Sequence, residues 1–374
     1  MVSPAHPSYA DIRVFQKEAR TLAANGYEVT LYARADSQPS SFIEDGVRVV
    51  PVQYSTRGGM LLATPSLLRK LLAESADLYH LHNPFSLPLV VALKLAGRKV
   101  IYDVHEDFRR RVHLRAWIPR MIRTQTGIGI AIAERIAGRL VDAGIASQPN
   151  VVRRLGKKAV LLLNAPVVGG DLIDNALAFA ETLSEEEVHP EGALRLAYIG
   201  GLSGPRGLFE MTELVARLNE DVPARLWLLG YSDPDDLEAA RRQPGWRFVD
   251  YLGRQPQTEA FGRVARADIA LAVLRDQGGH ADASPNKLYE YMALGTPFVA
   301  SDFPFWREGL PVKSGGLFVD PEDMEAIVKA VEWLVQNPEE TQRLTSRGNQ
   351  YVREYFNWSH ESQTLLALYE RLLA

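Results

Sequence analysis

Short apolar runs alternate with longer amphipathic segments along the whole chain, and they fall into two similar sets. The runs have the length and the aliphatic, β-branched character of buried strands, while the segments between them have helical spacing. This alternation is typical of parallel sheets covered by helices on both faces. We therefore predict an α/β fold with two doubly wound, Rossmann-like domains that face each other across a cleft.

The predicted elements can be placed by residue number. In the first set, strands are expected near 29–34, 47–52, 78–82, 99–105, 140–147 and 159–164, and helices near 12–25, 64–75, 85–97 and 128–139. In the second set, strands are expected near 194–200, 225–230, 248–253, 269–274, 297–301 and 315–319, and helices near 206–219, 234–243, 258–267, 286–294 and 321–337.

A break in the pattern divides the chain. With 374 residues and 46% hydrophobic content, the chain is too long for one ordinary core, and its length favours two domains. We predict an N-terminal domain over 1–165, a linker over 166–192, a C-terminal domain over 193–355 and a final helix over 356–374 that packs back toward the first domain. Only three residues precede the first loop, so either the first strand is very short or the native start lies upstream of Met1.

Composition excludes several classes of site. There is no cysteine, which rules out disulfides, thiolate metal sites and a cysteine nucleophile. No stretch approaches the roughly 20 apolar residues of a membrane span, and the N-terminus lacks the pattern of a secretory signal. The net charge of −4 argues against a nucleic-acid partner. We expect a cytoplasmic protein.

The stretch SPNKLYEYMALGTPFVASDFP, residues 284–304, combines a short helix with charged side chains. Pro285 suits the first turn of a helix, Gly295 suits its C-terminal cap, and Lys287 and Glu290 are neighbours on its surface. The helix start follows the apolar strand 269–274, so its free amides should lie at the ligand-binding edge of the sheet. A diphosphate near Lys287 and a ribose on Glu290 fit these groups, and an ordinary surface ion pair is the alternative.

Several segments together resemble glycosyltransferase family four, the "group 1" retaining glycosyltransferases of the GT-B fold. The stretch SPNKLYEYMALGTPFVASDFPFWRE resembles the nucleotide-sugar signature of that family. Further segments agree in the same order over nearly the whole chain: DIRVFQKEARTLAANGYEVTLYA at 11–33, DLYHLHNP at 77–84, VIYDVHEDF at 100–108, LAYIGGLSGPRG at 196–207 and LWLLG at 226–230.

The resemblance assigns roles on the donor side. The family has two glutamates with seven residues between them, which match Glu290, at the donor ribose, and Asp282, by the donor sugar and one methylene shorter. The family's lysine after the first strand of the second domain matches Arg206, and its arginine position matches Gly201, so one cation is missing. Arg206 is otherwise a surface residue at a helix start. The expected donor-binding set is Gly201, Arg206, Ser284, Asn286, Lys287, Leu288 and Glu290, with His280 a weaker candidate.

On the acceptor side, the resemblance assigns a functional histidine to His105, which ends a strand and precedes Glu106 and Asp107. The expected catalytic residues are thus His105 and Asp282, although His105 could also be a packed ring. His80 and His82 alternate along one strand and look like a metal pair. No further ligand follows at metal spacing, so we interpret them as structural or cleft-lining.

Two other motifs need an interpretation. Asp233 and Asp235 spell a D-x-D, but they precede a helix and are better explained as its N-cap and first turn. The glycines at 200, 201, 204 and 207 form a weak glycine-rich loop that allows backbone to approach a phosphate.

The sequence thus predicts a metal-independent glycosyltransferase of hexosyltransferase type that needs no cofactor beyond a nucleotide-diphosphate sugar. A sugar would move with retention to an acceptor hydroxyl, on a lipid-linked or cell-surface glycan intermediate of polysaccharide or envelope biosynthesis. A nucleotide-sugar epimerase of the same fold and a non-catalytic nucleotide-sugar-binding subunit remain alternatives. A phosphorylase would need a pyridoxal lysine, for which no motif is found.

The segment 109–123, RRRVHLRAWIPRMIR, contains six arginines and no acidic residue. Its basic, tryptophan-bearing character predicts peripheral attachment to an anionic membrane, on the inner face. The alternatives are a solvated basic helix packed on the domain, or a patch that attracts an anionic acceptor. Pro119 interrupts any continuous amphipathic helix here.

Overall fold

The computed structural model of the protein divides into two units. It describes residues 1–6, 8–35, 38, 40–54, 57–115, 117–168, 171–277, 279–311 and 313–374. Unit 1 comprises Met1–Asn164 and Trp358–Ala374, and unit 2 comprises Ala165–Asn357.

Unit 1 contains an eight-stranded sheet in the order β3-β4-β2-β1-β5-β6-β7-β8. All neighbouring strands are parallel except β3, which pairs antiparallel with β4 at one edge. The chain therefore starts in the middle of the sheet, winds to one side and then to the other, which is the doubly wound arrangement. The strands are β1 (Val2–Ser3), β2 (Val29–Ala33), β3 (Phe42–Glu44), β4 (Val47–Pro51), β5 (Tyr79–His82), β6 (Val100–Val104), β7 (Ala143–Ala146) and β8 (Ala159–Leu161).

Helices cover the sheet of unit 1, and the central strands β5, β6 and β7 are buried along their whole length. Asp11 caps a π-helical segment, Ile12–Ala19, that continues directly into α1. The helices of this part are α1 (Arg20–Ala24), α2 (Arg57–Glu74), α3 (Leu87–Leu95), α4 (Phe108–Arg111), α5 (Arg123–Leu140) and α6 (Pro149–Leu155).

Unit 2 contains a six-stranded, fully parallel sheet in the order β11-β10-β9-β12-β13-β14. The direction of winding reverses between β9 and β12, so ligands are expected beyond the carboxyl ends of these two strands. The strands are β9 (Leu194–Ile199), β10 (Ala224–Leu229), β11 (Val249–Gly253), β12 (Ile269–Ala272), β13 (Phe298–Ser301) and β14 (Gly316–Val319).

The remaining helices follow in chain order, and the last one returns to unit 1. There, Nε1 of Trp358 donates a hydrogen bond to Oγ1 of Thr21 (2.8 Å), and Leu365 and Leu368 are buried. The helices are α7 (Asp171–Thr182), α8 (Glu185–Val188), α9 (Leu208–Leu218), α10 (Pro234–Arg241), α11 (Gln257–Arg266), α12 (Asn286–Leu294), α13 (Pro304–Glu308), α14 (Met324–Gln336), α15 (Pro338–Glu354) and α16 (Trp358–Leu373).

The segment 166–192, expected as a linker, is instead part of unit 2. Helix α7 buries Ile173, Ala176 and Ala180 against α11. The contact is close, because a Cβ at Gly262 of α11 would lie 2.7 Å from the carbonyl oxygen of Ala176. Apolar residues at helical spacing outweigh the acidic composition that suggested a linker. The expected Gly-Gly break at 169–170 lies outside the described residues.

The predicted α/β class with two doubly wound units is confirmed. The helix expected at 286–294 matches α12, and Gly295 ends it in the left-handed conformation (φ 74°). The edge strand β3 and the helices α6 and α15 were not predicted. Among the described residues, no helix combines the length and the apolar character needed to cross a bilayer.

Candidate active site

The glycine-rich loop after β9 lies at the point where the sheet of unit 2 changes direction. Gly207 has φ 78°, and a Cβ there would overlap the carbonyl oxygen of Val273, just after β12. The amide of Arg275 donates to the carbonyl oxygen of Pro205 (3.1 Å). Glycine at 207 thus allows the loop after β9 to pack directly on the loop after β12.

Lys287 of α12 reaches across to the glycine-rich loop. A Cβ at Gly200 would lie 2.6 Å from Cε and 2.9 Å from Nζ of Lys287, so the ammonium group lies directly against the backbone of Gly200. Gly200 has φ 134°, a conformation that side chains rarely adopt. Nζ also lies 5.2 Å from the ring centre of Tyr198, whose hydroxyl donates to the carbonyl oxygen of Gly201 (2.9 Å).

Arg206 brings a second cation to the same loop. A Cβ at Gly201 would lie 3.6 Å from Cζ and from Nη1 of Arg206. The guanidinium group therefore occupies the space next to position 201, where the related family carries its arginine. Arg206 ends a 3₁₀ turn, Gly204–Arg206, just before α9. The two expected cations, Arg206 and Lys287, are thus brought together on adjacent glycines.

The start of α12 is held by its own loop. Among the described residues, no side chain caps this helix, and the Asn286 side-chain oxygen is buried without a hydrogen-bond partner. Ser284 accepts the amide hydrogen of Asn286 on its carbonyl oxygen (2.9 Å). Leu288 has a buried side chain, and its amide donates to the carbonyl oxygen of Pro285 (2.9 Å). A ligand contact by Leu288 stays a prediction. If the backbone amide of Leu288 made this contact, its hydrogen would be shared between the ligand and the carbonyl oxygen of Pro285.

The two carboxylates of the expected pair lie on different elements. Glu290 is half-buried within α12, and Asp282 is half-buried in the loop before it. That loop is fixed by Nε1 of Trp306, which donates to the carbonyl oxygen of Ala283 (2.9 Å). Nδ1 of the buried His280 lies 3.1 Å from the carbonyl oxygen of Arg275. His280 thus holds the loop that carries Asp282.

In unit 1, His105 follows β6 beside the corresponding change of direction, between β1 and β5. Its Nε2 lies 3.1 Å from Nδ1 of His82, and its ring stacks on His6, with centroids 5.1 Å apart. The amide of His105 donates to the side-chain oxygen of Asn83 (3.2 Å), and Asn83 has φ 64°. A non-glycine residue in this conformation is strained, and such strain is concentrated at functional sites.

A buried charged cluster lies beneath His105. Arg13 pairs with Glu18 (Nε–Oε1, 2.9 Å) and with Asp103 (Nη2–Oδ2, 3.2 Å), and these side chains are almost inaccessible to solvent. His80 and His82 stack with centroids 4.4 Å apart, and each has a ring nitrogen 3.7 Å from Oδ2 of Asp103. The HxH pair therefore has carboxylates next to it that the sequence spacing did not reveal.

Glu18, His80, His82 and Asp103 could hold a metal ion, because one ligand atom of each lies within 4.8 Å of the others. However, the guanidinium group of Arg13 already binds both carboxylates, and a divalent ion beside it would be repelled. The cluster is thus neutralised by a cation of the chain itself.

Burial and pairing set the protonation states in this cluster. Burial raises the pKa of Glu18 well above its ordinary value, and the neighbouring Asp103 raises it further. Burial opposes ionisation of Asp103 too, but Arg13 and the His105 contact hold its pKa well below the usual range. Burial lowers the pKa of His82, and the nearby His80 adds to this effect. We infer an ionised Asp103 and a neutral His82 near pH 7.

Asp233 behaves as the N-cap that the sequence indicated. Its side chain accepts a hydrogen bond from the amide of Asp235 (3.0 Å) at the start of α10. By contrast, sequence reasoning missed Tyr198, Arg13, Glu18 and Asp103. Charged residues at the otherwise buried positions of Ile12–Ala19 were the one available signal, since a buried charge requires a partner.

Family models match both parts of the chain. Residues 12–160 match the glycosyl transferase 4-like domain, and residues 193–337 match the glycosyl transferases group 1 model. The chain belongs to the group 1 glycosyltransferases. The recognition made from the sequence motifs is confirmed.

A curated relative is similar along almost the whole chain. The phosphatidyl-myo-inositol mannosyltransferase of Mycobacterium leprae is 25% identical over 365 residues, which cover 94% of this chain and 90% of the relative.

Solved structures share the fold of this glycosyltransferase. Sucrose-phosphate synthase from Thermosynechococcus elongatus superposes with a TM-score of 0.78 at 19% identity, covering 99% of this chain and 98% of that one. The Anabaena protein HepE in complex with UDP-glucose has a TM-score of 0.73 at 14% identity, with the same coverage. The predicted GT-B fold class is confirmed.

Proposed function

We propose that this glycosyltransferase moves a hexose, with retention, from a nucleotide-diphosphate sugar to an acceptor hydroxyl on a lipid-linked or cell-surface glycan intermediate. The observation that carries the donor side is the convergence of Lys287 and Arg206 on Gly200 and Gly201, directly after β9. Two cations on exposed glycine backbone suit a diphosphate better than any uncharged ligand.

Further support comes from the neighbours. The Anabaena protein HepE, which has the same fold, was solved in complex with UDP-glucose. The name of the mycobacterial relative describes transfer of mannose to a phosphatidylinositol, which is a lipid acceptor. These descriptions concern those proteins, and they favour a nucleotide sugar and a lipid-linked acceptor for this one.

The proposed mechanism assigns each group a charge to stabilise. Cleavage of the sugar–diphosphate bond places negative charge on the leaving phosphate, which Arg206, Lys287 and the amides at the start of α12 stabilise. Glu290 binds the ribose hydroxyls. Asp282 stabilises the positively charged sugar, and the departing phosphate accepts the acceptor proton. His105 positions the acceptor hydroxyl.

Tautomer and orientation of His105 follow from its surroundings. Oδ2 of the ionised Asp103 lies 3.5 Å from Nε2 of His105, and Nδ1 of His82 lies near the same nitrogen. A proton on Nε2 would be stabilised by both acceptors. We therefore propose that Nδ1 is the nitrogen of His105 that accepts a hydrogen bond from a substrate hydroxyl.

The test is the fate of a radiolabelled sugar. A thermal-shift screen first identifies the nucleotide sugars that stabilise the protein. Purified enzyme is then incubated with these sugars in labelled form and with a lipid extract. We expect label to leave the nucleotide and enter the lipid-soluble fraction. Label that stays on the nucleotide as a different sugar would favour an epimerase, and donor binding without turnover would favour a binding subunit.

A further inference from the structure

Helix α5 of unit 1 carries a row of exposed aliphatic side chains. Ile128, Ile132, Ile136 and Leu140 are spaced by four residues and expose 46%, 55%, 49% and 43% of their surface. Residues spaced in this way lie on one side of a helix, and the row is about 18 Å long at 1.5 Å per residue. We name these four residues the α5 row.

The opposite side of α5 is fixed against unit 1, so the row cannot turn inward. A Cβ at Gly127 would lie 2.6 Å from the carbonyl oxygen of Arg109, and one at Gly138 would overlap the carbonyl oxygen of Leu155. The buried Glu134 also pairs with Nε of Arg154 (2.8 Å). The packing of the other side of α5 therefore keeps the α5 row exposed to solvent.

The segment before α5 extends the apolar surface. Trp117, Met121 and Ile122 expose half or more of their surface, whereas Ile118 is buried. Ala116 lies outside the described residues. Trp117, Met121 and Ile122 of this basic segment thus face solvent, and they directly precede α5 in the chain.

The exposed charged residues of helix α5 are arginines. Arg135 and Arg139 are exposed on α5, and the helix's one acidic residue, Glu134, is buried. In the segment 109–123, Arg111 is paired with Glu106, and Arg110 and Arg115 lie near Asp107 and Glu106. The positive charge of that segment is therefore smaller than its six arginines suggest. Arg135 and Arg139 of α5 contribute further positive charge to this surface.

We propose that the α5 row, together with Trp117, Met121 and Ile122, docks unit 1 onto the surface of an anionic phospholipid bilayer. Exposed aliphatic side chains, a tryptophan and flanking arginines suit the boundary between lipid head groups and acyl chains. A second copy fits less well, because symmetric pairing of this face would bring its arginines together. The proposal rests on the proposed function insofar as that function requires a lipid-linked acceptor.

The decisive experiment is co-sedimentation of the full chain with vesicles. We compare neutral phosphatidylcholine with mixtures that contain phosphatidylglycerol, at low and at high salt. Binding should rise with phosphatidylglycerol and fall with salt. The triple variant Ile128→Gln, Ile132→Gln, Ile136→Gln should bind at least about tenfold more weakly, and Arg135→Gln with Arg139→Gln should reduce the dependence on salt.

Exposed aliphatic residues of unit 2 provide the matched control. The double variant Val222→Gln, Val335→Gln, at positions of similar exposure, should bind vesicles like the original chain. Because the chain has no cysteine, an environment-sensitive fluorophore can be attached to Ile132→Cys alone. It should shift to the blue with anionic vesicles, while the same label on Val335→Cys should not.

Two results would overturn the proposal. One is the absence of co-sedimentation at low salt with phosphatidylglycerol. The other is self-association in analytical ultracentrifugation that the triple variant abolishes without any vesicle binding, which would identify a second copy as the occupant. Binding of nucleotide sugar by the triple variant, measured by thermal shift, keeps this test separate from the donor site.

Discussion

At the scale of single residues, the donor site depends on glycines that let charged side chains approach the backbone. Lys287 comes from a helix and Arg206 from a turn, and both reach the Gly200–Gly201 peptide because neither position has a side chain. An alanine at Gly200 would displace the end of the Lys287 side chain and would also be strained at φ 134°. The glycine at 200 thus permits both the local backbone conformation and the close approach of the Lys287 ammonium group.

The two carboxylates of the donor signature should have separable roles. We expect Glu290→Gln to weaken nucleotide binding about tenfold, because a charged hydrogen-bond acceptor for the ribose is lost. Asp282→Ala should lower kcat more than it weakens donor binding, since its charge acts mainly in the transition state. Steady-state kinetics together with donor titration would measure both, and unchanged values in the two variants would refute the site assignment.

Asp103 should matter for stability beyond any effect on His105. It is fully buried and neutralises Arg13, so Asp103→Asn should destabilise the fold by about 3–5 kcal/mol. Asp142→Asn is the matched control, because its pair with Lys94 is partly exposed and should contribute under about 1 kcal/mol. Urea unfolding measures both changes, and equal losses would argue against the buried cluster as a stabilising unit.

The residues that could be predicted from the sequence and those that were missed differ in how far away along the sequence their partners lie. Pro285, Lys287 and Gly295 belong to one short helix, whose start, surface pair and end follow from local rules. Arg13, in the helical segment Ile12–Ala19, and Asp103, on β6, are 90 positions apart and meet only in the folded unit. Their pairing depends on strand order, which no local pattern reveals.

At the scale of elements, the linker predicted at 166–192 was also wrong because the contacts of this segment are made with a helix that is distant in sequence. The acidic run at 185–187 and the glycines before α7 suggested an exposed connection. The structure shows that α7 has an apolar side that becomes visible only when α11 is placed against it. A helix of twelve residues gains most of its stability from such packing, so composition alone was a poor guide.

The buried Glu134 of α5 should make the free energy of unfolding depend on pH. Burial raises the pKa of Glu134 from 4.5 to about 7 despite its pair with Arg154. The folded state then binds more protons than the unfolded state between these values, so stability falls as pH rises through this window. Glu134→Gln removes the effect, and its stability relative to the original chain should rise by about 3 kcal/mol between pH 4.5 and 7.

Unfolding free energies measured at several pH values would test this prediction. The exposed Glu322→Gln is the control, because a solvated carboxylate should leave the curve nearly unchanged. A stability difference between Glu134→Gln and the original chain that is constant with pH would contradict an elevated pKa at α5.

At the scale of the whole molecule, the chain repeats one arrangement twice. In both sheets the chain begins centrally and reverses between its first strand and a later one. The donor-site candidates of unit 2 follow β9 and β12 at that reversal, whereas His105 of unit 1 follows β6, the neighbour of β5. Alternating strands and helices predicted the class of fold. They could not predict the antiparallel β3 or the strand order, because pairing between distant segments leaves no trace in a single sequence.

Metal independence is a prediction for the enzyme as a whole. Arg206 and Lys287 can neutralise the diphosphate, and Arg13 already pairs with Glu18 and Asp103, the two carboxylates among the four potential metal ligands of unit 1. Activity should therefore survive excess EDTA and exhaustive dialysis. Loss of transfer that Mn²⁺, Mg²⁺ or Zn²⁺ restores would show that one of these positions holds a metal.

The central claim is that Arg206 and Lys287 bind the diphosphate of a nucleotide sugar. Isothermal titration of the preferred donor and its nucleoside diphosphate into the original chain, Arg206→Ala and Lys287→Ala tests it directly, with the exposed Arg242→Ala and Lys329→Ala as controls. Each site variant should raise Kd about 10- to 100-fold for both ligands, because a charged contact to phosphate is lost, and the controls should bind like the original chain. Unchanged Kd in both site variants, or binding lost equally in the controls, would contradict the account.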